Sequence, residues 1–404
     1  MLSSFTVHPD MPSEPGVGWQ FLMATLEHAD NVGARVVLVT SRRSEIACRG
    51  RLPSDFASIL DVVAVDIPFS PPFFRWHYPR FTRIEHEIWV RLAARHVQDI
   101  ERRYNVLYAH HVTFATEILS TPITRMSPAT FKVWGPIGAG GVAEVFAVEP
   151  APKAARRQRL LQRLRDSVAR VPATRVARRC DLVLAQNSAL ERVLAGSSTP
   201  SRIFPNVVVD MSPSDLHRPS RHYVSVLMVG HLIARKRHEL TIDAMAADAL
   251  RDAVLDIVGF DDTDHATYLR GLARRLGVED RVVFHGSAAR ETVLGMMQQA
   301  DVLVHPSGRE GASGVVGEAA TCGLPVVCFA GTGASSVLEH SGTSGVVLIP
   351  GPTTDRKTIA DAIVRAAGMP RVRTDLWTSQ RFVDLAAQLH DEALKFRARH
   401  SGVL

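Results

Sequence analysis

Short apolar runs recur along the whole chain. They fall at residues 5–8, 36–40, 62–68, 106–110, 131–134 and 182–186, and again at 224–230, 255–259, 282–287, 300–307, 324–329 and 345–350. Each is continuous rather than alternating, which is the pattern of a strand buried on both faces. Helical patterns lie between most of them. Residues 19–29 and 81–104 carry apolar positions spaced three and four apart, and further helices are expected from about His238, from about Ser313 and over 379–399. Alternation of buried strands with helices predicts an α/β protein with parallel sheets covered on both sides. The polar, Pro-containing residues 212–221 separate the two series of runs and read as a linker between two domains.

The stretch after the run at 300–307 carries the most chemistry. Glu310-Gly311-Ala312-Ser313-Gly314 and Glu318 stand between two predicted strands, with a helix opening near Ser313. Gly311 and Gly314 lack the Cβ atoms that keep a ligand away from the backbone. A helix N-terminus favours negative charge, so two carboxylates there would repel a phosphate. They make sense as acceptors for the hydroxyl groups of a sugar; the competing reading is a pair of solvated helix-start carboxylates.

Glu310 and Glu318, followed by Cys322-Gly323-Leu324-Pro325-Val326-Val327, resemble the signature of the family 4 retaining glycosyltransferases. The resemblance implies the GT-B fold, two Rossmann-like domains facing each other across a deep cleft, with the last helix crossing back onto the first. On that reading residues 1–211 form an acceptor-side domain joined by 379–404, and residues 222–378 bind the nucleotide sugar. It also implies that Glu310 holds the transferred sugar, that Glu318 holds the ribose, and that Gly311, Ala312, Ser313 and Gly314 surround the donor. In this family a donor phosphate oxygen is the usual proposed acceptor of the proton, so no side chain is named as general base.

Three segments of the first half add to the resemblance. Ser13-Glu14-Pro15-Gly16-Val17-Gly18-Trp19 is similar to a glycine-rich opening in a subset of the family, which places Gly16 and Gly18 near the donor phosphates; a plain turn is the alternative. His110 and His111 end a predicted strand, a position that faces the cleft in open α/β sheets, and one of the two is expected to be structural. Adjacent strand residues point to opposite faces, so they make a poor metal pair. Trp134-Gly135-Pro136 is similar to a turn of the same subset. Trp134 stands about where many members carry a sugar-contacting His, and either stacks on a sugar or fills the core.

In the second half, the run at 224–230 leads into His231-Leu232-Ile233-Ala234-Arg235-Lys236-Arg237. Three cations at a helix start are unfavourable unless an anion sits there, and a diphosphate supplies one. The family reads Gly-Arg-Leu with a Lys five positions after the Arg. Lys236 matches that Lys, while His231 replaces the Arg, so Arg235, Arg237 or a protonated His231 would supply the second charge. Gly259, His285 and Ser287, at the ends of the next two strands, are the expected frame for the base.

Composition narrows the picture only a little. The chain has 404 residues, 46% apolar and 22% charged, with a net charge of +6 and four cysteines without metal-ligand spacing. No run reaches the length of a membrane-spanning helix, and no secretory leader is apparent, so a cytoplasmic protein is expected. From Lys153 to Arg179 the chain is strongly basic with leucines at helical spacing, which fits a peripheral contact with an anionic membrane or a solvated helix face. Nucleic acid is not expected, because aromatic interleaving is absent. The resulting expectation is a retaining, metal-independent hexosyltransferase needing no cofactor. It would use a nucleotide sugar, UDP-linked, and a saccharide, lipid-linked or small-molecule acceptor, with Glu310, Lys236 and Arg235 as catalytic residues. The alternatives are a non-transferring GT-B enzyme, such as an epimerase or phosphorylase, and an inactive sugar-nucleotide-binding protein.

Overall fold

The computed structural model describes residues 1–11, 13–67, 79–138, 141–142, 170–209, 221–261, 264–349 and 355–400. Most of the expected linker and residues 153–169 of the basic stretch lie outside these; residues 170–177 are helical.

The first sheet comprises β1 (Leu2–Ser3), β2 (Val36–Ser41), β3 (Leu60–Val65), β4 (Tyr108–His111), β5 (Phe131–Ile137), β7 (Leu182–Ala185) and β8 (Ser201–Ile203), in the order β3-β2-β1-β4-β5-β7-β8. The second comprises β9 (Ser225–Val229), β10 (Val254–Val258), β11 (Val282–Gly286), β12 (Val302–His305), β14 (Val326–Phe329) and β15 (Gly345–Leu348), in the order β11-β10-β9-β12-β14-β15. All pairings within both sheets are parallel. Two short strands, β6 (Gly141–Val142) and β13 (Arg309–Glu310), pair with each other antiparallel and join the two halves. The Val-rich strands have few polar side chains to expose, so each sheet is sandwiched between helices. Val226, Leu255 and Val302 pack into one core of the second sheet, and Leu227, Val258 and Leu303 into the other.

Two expectations are corrected. The run at 5–8 is not a strand; β1 ends at Ser3. Phe5 and Val7 are buried by packing instead, while the backbone leaves the ladder for side chains, Thr6 N donating to Thr113 Oγ1 and Val7 N to Ser44 Oγ. The first long helix spans Glu14–Asn31 and so starts well before its apolar period, with Pro15 in its first turn where a missing N–H costs nothing. Gly16 and Gly18 therefore lie within the helix, not in a turn before it. A Cβ at Gly16 would stand 2.3 Å from Met11 O, and one at Gly18 2.3 Å from Thr6 O, so both glycines let the preceding loop fold over the helix.

The final helix, Gln380–His400, packs Phe382, Leu385, Leu389 and Phe396 into the core of the first sheet, with Phe382 and Phe21 rings 4.5 Å apart. Trp377, fully buried in a core of the second sheet, immediately precedes it. Its Nε1 donates to Ser341 Oγ at 2.8 Å, and the Arg381 guanidinium lies 4.5 Å from its ring. Among the described residues no helix is long and apolar enough to cross a membrane.

Removing this anchor tests its weight. Trp377→Ala is expected to lose about 3–5 kcal/mol, the usual cost of emptying a buried aromatic site, read as a shift of the urea midpoint. A shift equivalent to less than about 1 kcal/mol would show that the two domains hold together without it.

Candidate active site

In both sheets the chain order reverses beside the first strand, between β1 and β4 and between β9 and β12. The crevice at the carboxyl ends of the strands at such a point is where open α/β sheets take ligands. The four loops concerned meet here. A cleft of about 990 Å³ is lined on one side by Asp10, Ser13, Glu14 and Gly16 after β1 and by Thr116 after β4. The other side is formed by Arg235 and Lys236 after β9 and by Arg309, Gly311, Gly314 and Glu318 after β12.

Glu310 sits behind this wall, 8% exposed. Its Oε1 accepts from Lys236 Nζ at 2.5 Å and lies 3.4 Å from His305 Nε2; its Oε2 lies 3.3 Å from Arg235 Nη1. Burial alone would push this carboxyl up, but His305 and the Lys236 ammonium outweigh it and hold it well below the usual carboxylate range. Burial, with the neighbouring Lys236, pushes His305 down. The lysine stem crosses Gly230, whose φ is +151° and whose added Cβ would lie 3.5 Å from Lys236 Cε.

The loop carrying Glu310 is held from both domains. Besides the β6–β13 pairing, Asn187 Nδ2 donates to Gly311 O at 2.6 Å, and Arg309 Nη2 lies 3.5 Å from Glu117 Oε1. A Cβ on Gly311 would stand 2.3 Å from Gln186 Oε1, so a side chain there would have to displace that amide. The helix Gly314–Thr321 then opens without a side-chain cap, because the Ser313 hydroxyl faces His305 Nε2 at 3.2 Å. Its first N–H groups have no intrahelical partner, and Gly314 and Val315 line the cleft with Ala312 beside them. Glu318 lies farther along this helix and accepts from Arg290 Nε at 3.1 Å. Burial pushes its carboxyl up, and Arg290 offsets only part of that.

The remaining expected site residues divide. Gly16 lines the cleft, whereas Gly18 is buried beneath the loop. Gly259 and Ser287 line a separate cavity of about 330 Å³ at the ends of β10 and β11. His285 does not line it; the ring pairs with Asp256 Oδ1 at 2.7 Å on the neighbouring strand. His231 is exposed, edge-on to Phe260, and is not part of the cleft wall. Leu232 N donates to Phe260 O, and the 3₁₀ turn Ala234–Lys236 carries Arg235 and Lys236 inward. Arg237 pairs with Glu239, which leaves Arg235 as this loop's second cation at the wall.

His110, His111 and Trp134 are not cleft residues. They are buried in the first domain, because strand side chains point into the helical layers and not off the strand ends. His110 Nε2 meets Gly135 O at 2.7 Å, and burial pushes its pKa down to about 4. His111 Nδ1 meets Ser3 Oγ at 2.9 Å and is pushed well down by burial and by His86.

Sequence reasoning passed over Glu14, Asn187, Arg290, His305 and Arg309. Glu14 lines the cleft, accepts from Phe114 N at 2.9 Å, and is pushed up by burial. His305 ends β12 and, like His110, is buried; it belongs to the site only through Glu310 Oε1. Arg290 and Asn187 carry no local signal, since their partners lie far along the chain.

With this geometry in place, the chain can be set beside known proteins. Residues 218–376 match the family described as Glycosyl transferases group 1. The lipopolysaccharide glucosyltransferase WaaG of Escherichia coli is 34% identical over 128 residues, 31% of this chain and 33% of that one. The GDP-mannose-dependent alpha-(1-6)-phosphatidylinositol monomannoside mannosyltransferase of Mycobacterium tuberculosis is 30% identical over 184 residues, 41% of this chain and 46% of that one. The matched region thus spans between about a third and a half of these curated relatives. Among solved structures, the sucrose-phosphate synthase of Thermosynechococcus elongatus superposes with a TM-score of 0.61 at 19% identity, covering 98% of both chains. The crystal structure of WaaG gives 0.55 at 17%, covering 98% of this chain and 99% of that one. The fold is GT-B.

The Glu310 cluster makes a pH prediction. A folded-state pKa held below the unfolded value of about 4.3 adds stability that is complete above that pH and drains away as pH falls towards the folded value. Wild type should therefore exceed Glu310→Gln in unfolding free energy at pH 7, with the gap narrowing below about pH 4. A gap that stays constant to pH 2.5 or so would mean that the carboxylate is not held by its cations.

Proposed function

We propose that this chain transfers a sugar from a nucleotide sugar to an acceptor hydroxyl, with retention of anomeric configuration. The observation that carries the reading is the ionised, buried Glu310 with Lys236 and Arg235, at the carboxyl ends of β9 and β12, inside the region that matches Glycosyl transferases group 1. Breaking the glycosidic bond leaves negative charge on a diphosphate. Lys236 and Arg235, fixed on a shared carboxylate, need no reorganisation to meet it, which is how preorganised charges lower a barrier. The uncapped start of Gly314–Thr321 adds N–H donors on the same wall.

Glu310 has further lone pairs for the hydroxyls of the transferred sugar, and Glu318, restrained by Arg290, is the acceptor for the ribose hydroxyls. The proton of the acceptor hydroxyl passes to a donor phosphate oxygen, so no side chain serves as base. Glu14 faces this wall from the first domain and orients the acceptor. No metal or cofactor is assigned. UDP is the preferred nucleotide of this reading, and GDP is the natural comparison, since one relative is GDP-mannose-dependent.

The test is release of nucleotide from UDP-, GDP- and ADP-linked hexoses, with product anomers read by NMR. Glu310→Gln weakens charged hydrogen bonds worth ~1.5–3 kcal/mol each, so turnover should fall by about ten- to a hundredfold or more. Turnover near wild type in that variant, or an inverted product, would overturn the assignment.

A further inference from the structure

The helix Pro79–Arg103 carries Arg83, Glu87, Arg91 and Arg95 at intervals of four, each beside the next on a stripe that drifts by about 40° per step round the helix. Arg83 lines the cleft. Glu87, Arg91 and Arg95 line a second cavity of about 630 Å³, whose other walls include Arg125, Arg175 and Arg179. At 1.5 Å per residue, Arg91 and Arg95 stand roughly 12 and 18 Å along the helix from Arg83.

Five guanidinium groups thus surround a cavity that holds one carboxylate. That carboxylate does not neutralise them. Glu87 accepts from Ser120 N and Ser120 Oγ at 2.7 Å each; burial pushes it up, but His86 and Ser120 prevail and hold it at about 2. Among the described residues, no carboxylate pairs with Arg91, Arg95, Arg125, Arg175 or Arg179. Like charges gathered round a recess repel one another, and an anion reverses the sign. Guanidinium forks on several segments form a recess for phosphate or carboxylate groups.

We infer that this cavity binds the phosphate or carboxylate groups of an extended saccharide acceptor, whose reacting hydroxyl reaches the cleft along the helix stripe that begins at Arg83. The inference rests on the sugar-transfer reading of the cleft and gives its acceptor a chemical class. A recess walled by arginines on three segments suits discrete anionic groups on a narrow chain better than a continuous lipid surface. The exposed Ile84 and Ile88 on the same helix make anionic lipid the competitor to be tested.

The experiment is calorimetric titration with tripolyphosphate and with glucose 6-phosphate against glucose, in the full chain with and without Lys236→Ala, which weakens the cleft's own anion seat and should leave affinity at the cavity unchanged. Both anions should bind and glucose should not. Adding Arg91→Glu and Arg95→Glu, both exposed positions, should weaken binding at least tenfold with an unchanged unfolding midpoint. Arg125→Ala, on another wall, should weaken it in the same direction. Unchanged affinity in the double variant overturns the site. So does a double variant that loses only sedimentation with phosphatidylglycerol vesicles while keeping glucose 6-phosphate, since the surface is then a lipid-docking one. In the transfer assay, the double variant in an otherwise wild-type chain should raise the acceptor KM with donor KM and kcat nearly unchanged. Anion binding at the cavity with no transfer from any nucleotide sugar would instead remove the reading of the cleft.

Discussion

A buried carboxylate must either take up a proton or keep a cation beside it, and Glu310 keeps cations. Leaving this group ionised and unpaired behind the cleft wall would cost several kcal/mol, so Lys236 and Arg235 are drawn to it from the loop after β9. That one requirement fixes the mutual position of the two loops at the reversal point of the second sheet. It also aims two positive charges at a cleft whose other wall belongs to a different domain. Glycines serve these loops: Gly230 holds a φ of +151° where the chain leaves β9, and a Cβ on Gly333 would stand 2.0 Å from Gly311 O.

The same loop couples the domains. Its strand pairs with β6, its carbonyls receive Asn187, and its Arg309 faces Glu117. From the other end of the chain, Trp377 and the helix Gln380–His400 tie the second core to the first. Charge placed on Glu310 is thereby tied to the spacing between the two sheets.

The architecture was largely legible in the sequence, because a strand buried on both faces has to be a continuous apolar run. The runs at 255–259 and 324–329 reappear as β10 and β14 with their ends moved by a residue or two. The run at 5–8 misled for a physical reason: Phe5 and Val7 are as apolar and as buried as strand residues, but side-chain acceptors take the N–H groups of Thr6 and Val7. At the site, the sequence brought together residues on one loop, as with Lys236 and Gly311. It failed where position depends on which way a strand side chain faces. His110, His111 and Trp134 sit near strand ends yet point into the helical layers, and His231 is exposed, edge-on to Phe260. Pairings such as Arg290 with Glu318 carry no local pattern, and only the fold brings them together.

The central claim is that Lys236 and Arg235, held on Glu310, form the seat of a donor diphosphate. Calorimetric titration of wild type and Lys236→Ala with UDP and with uridine tests it most directly, because the two ligands differ only in the diphosphate. If the seat is as described, wild type prefers UDP over uridine by about a hundredfold or more, the scale of two charge-assisted contacts at ~1.5–3 kcal/mol each, and Lys236→Ala loses most of that preference. An equal preference in the two proteins, or none in wild type, would contradict it.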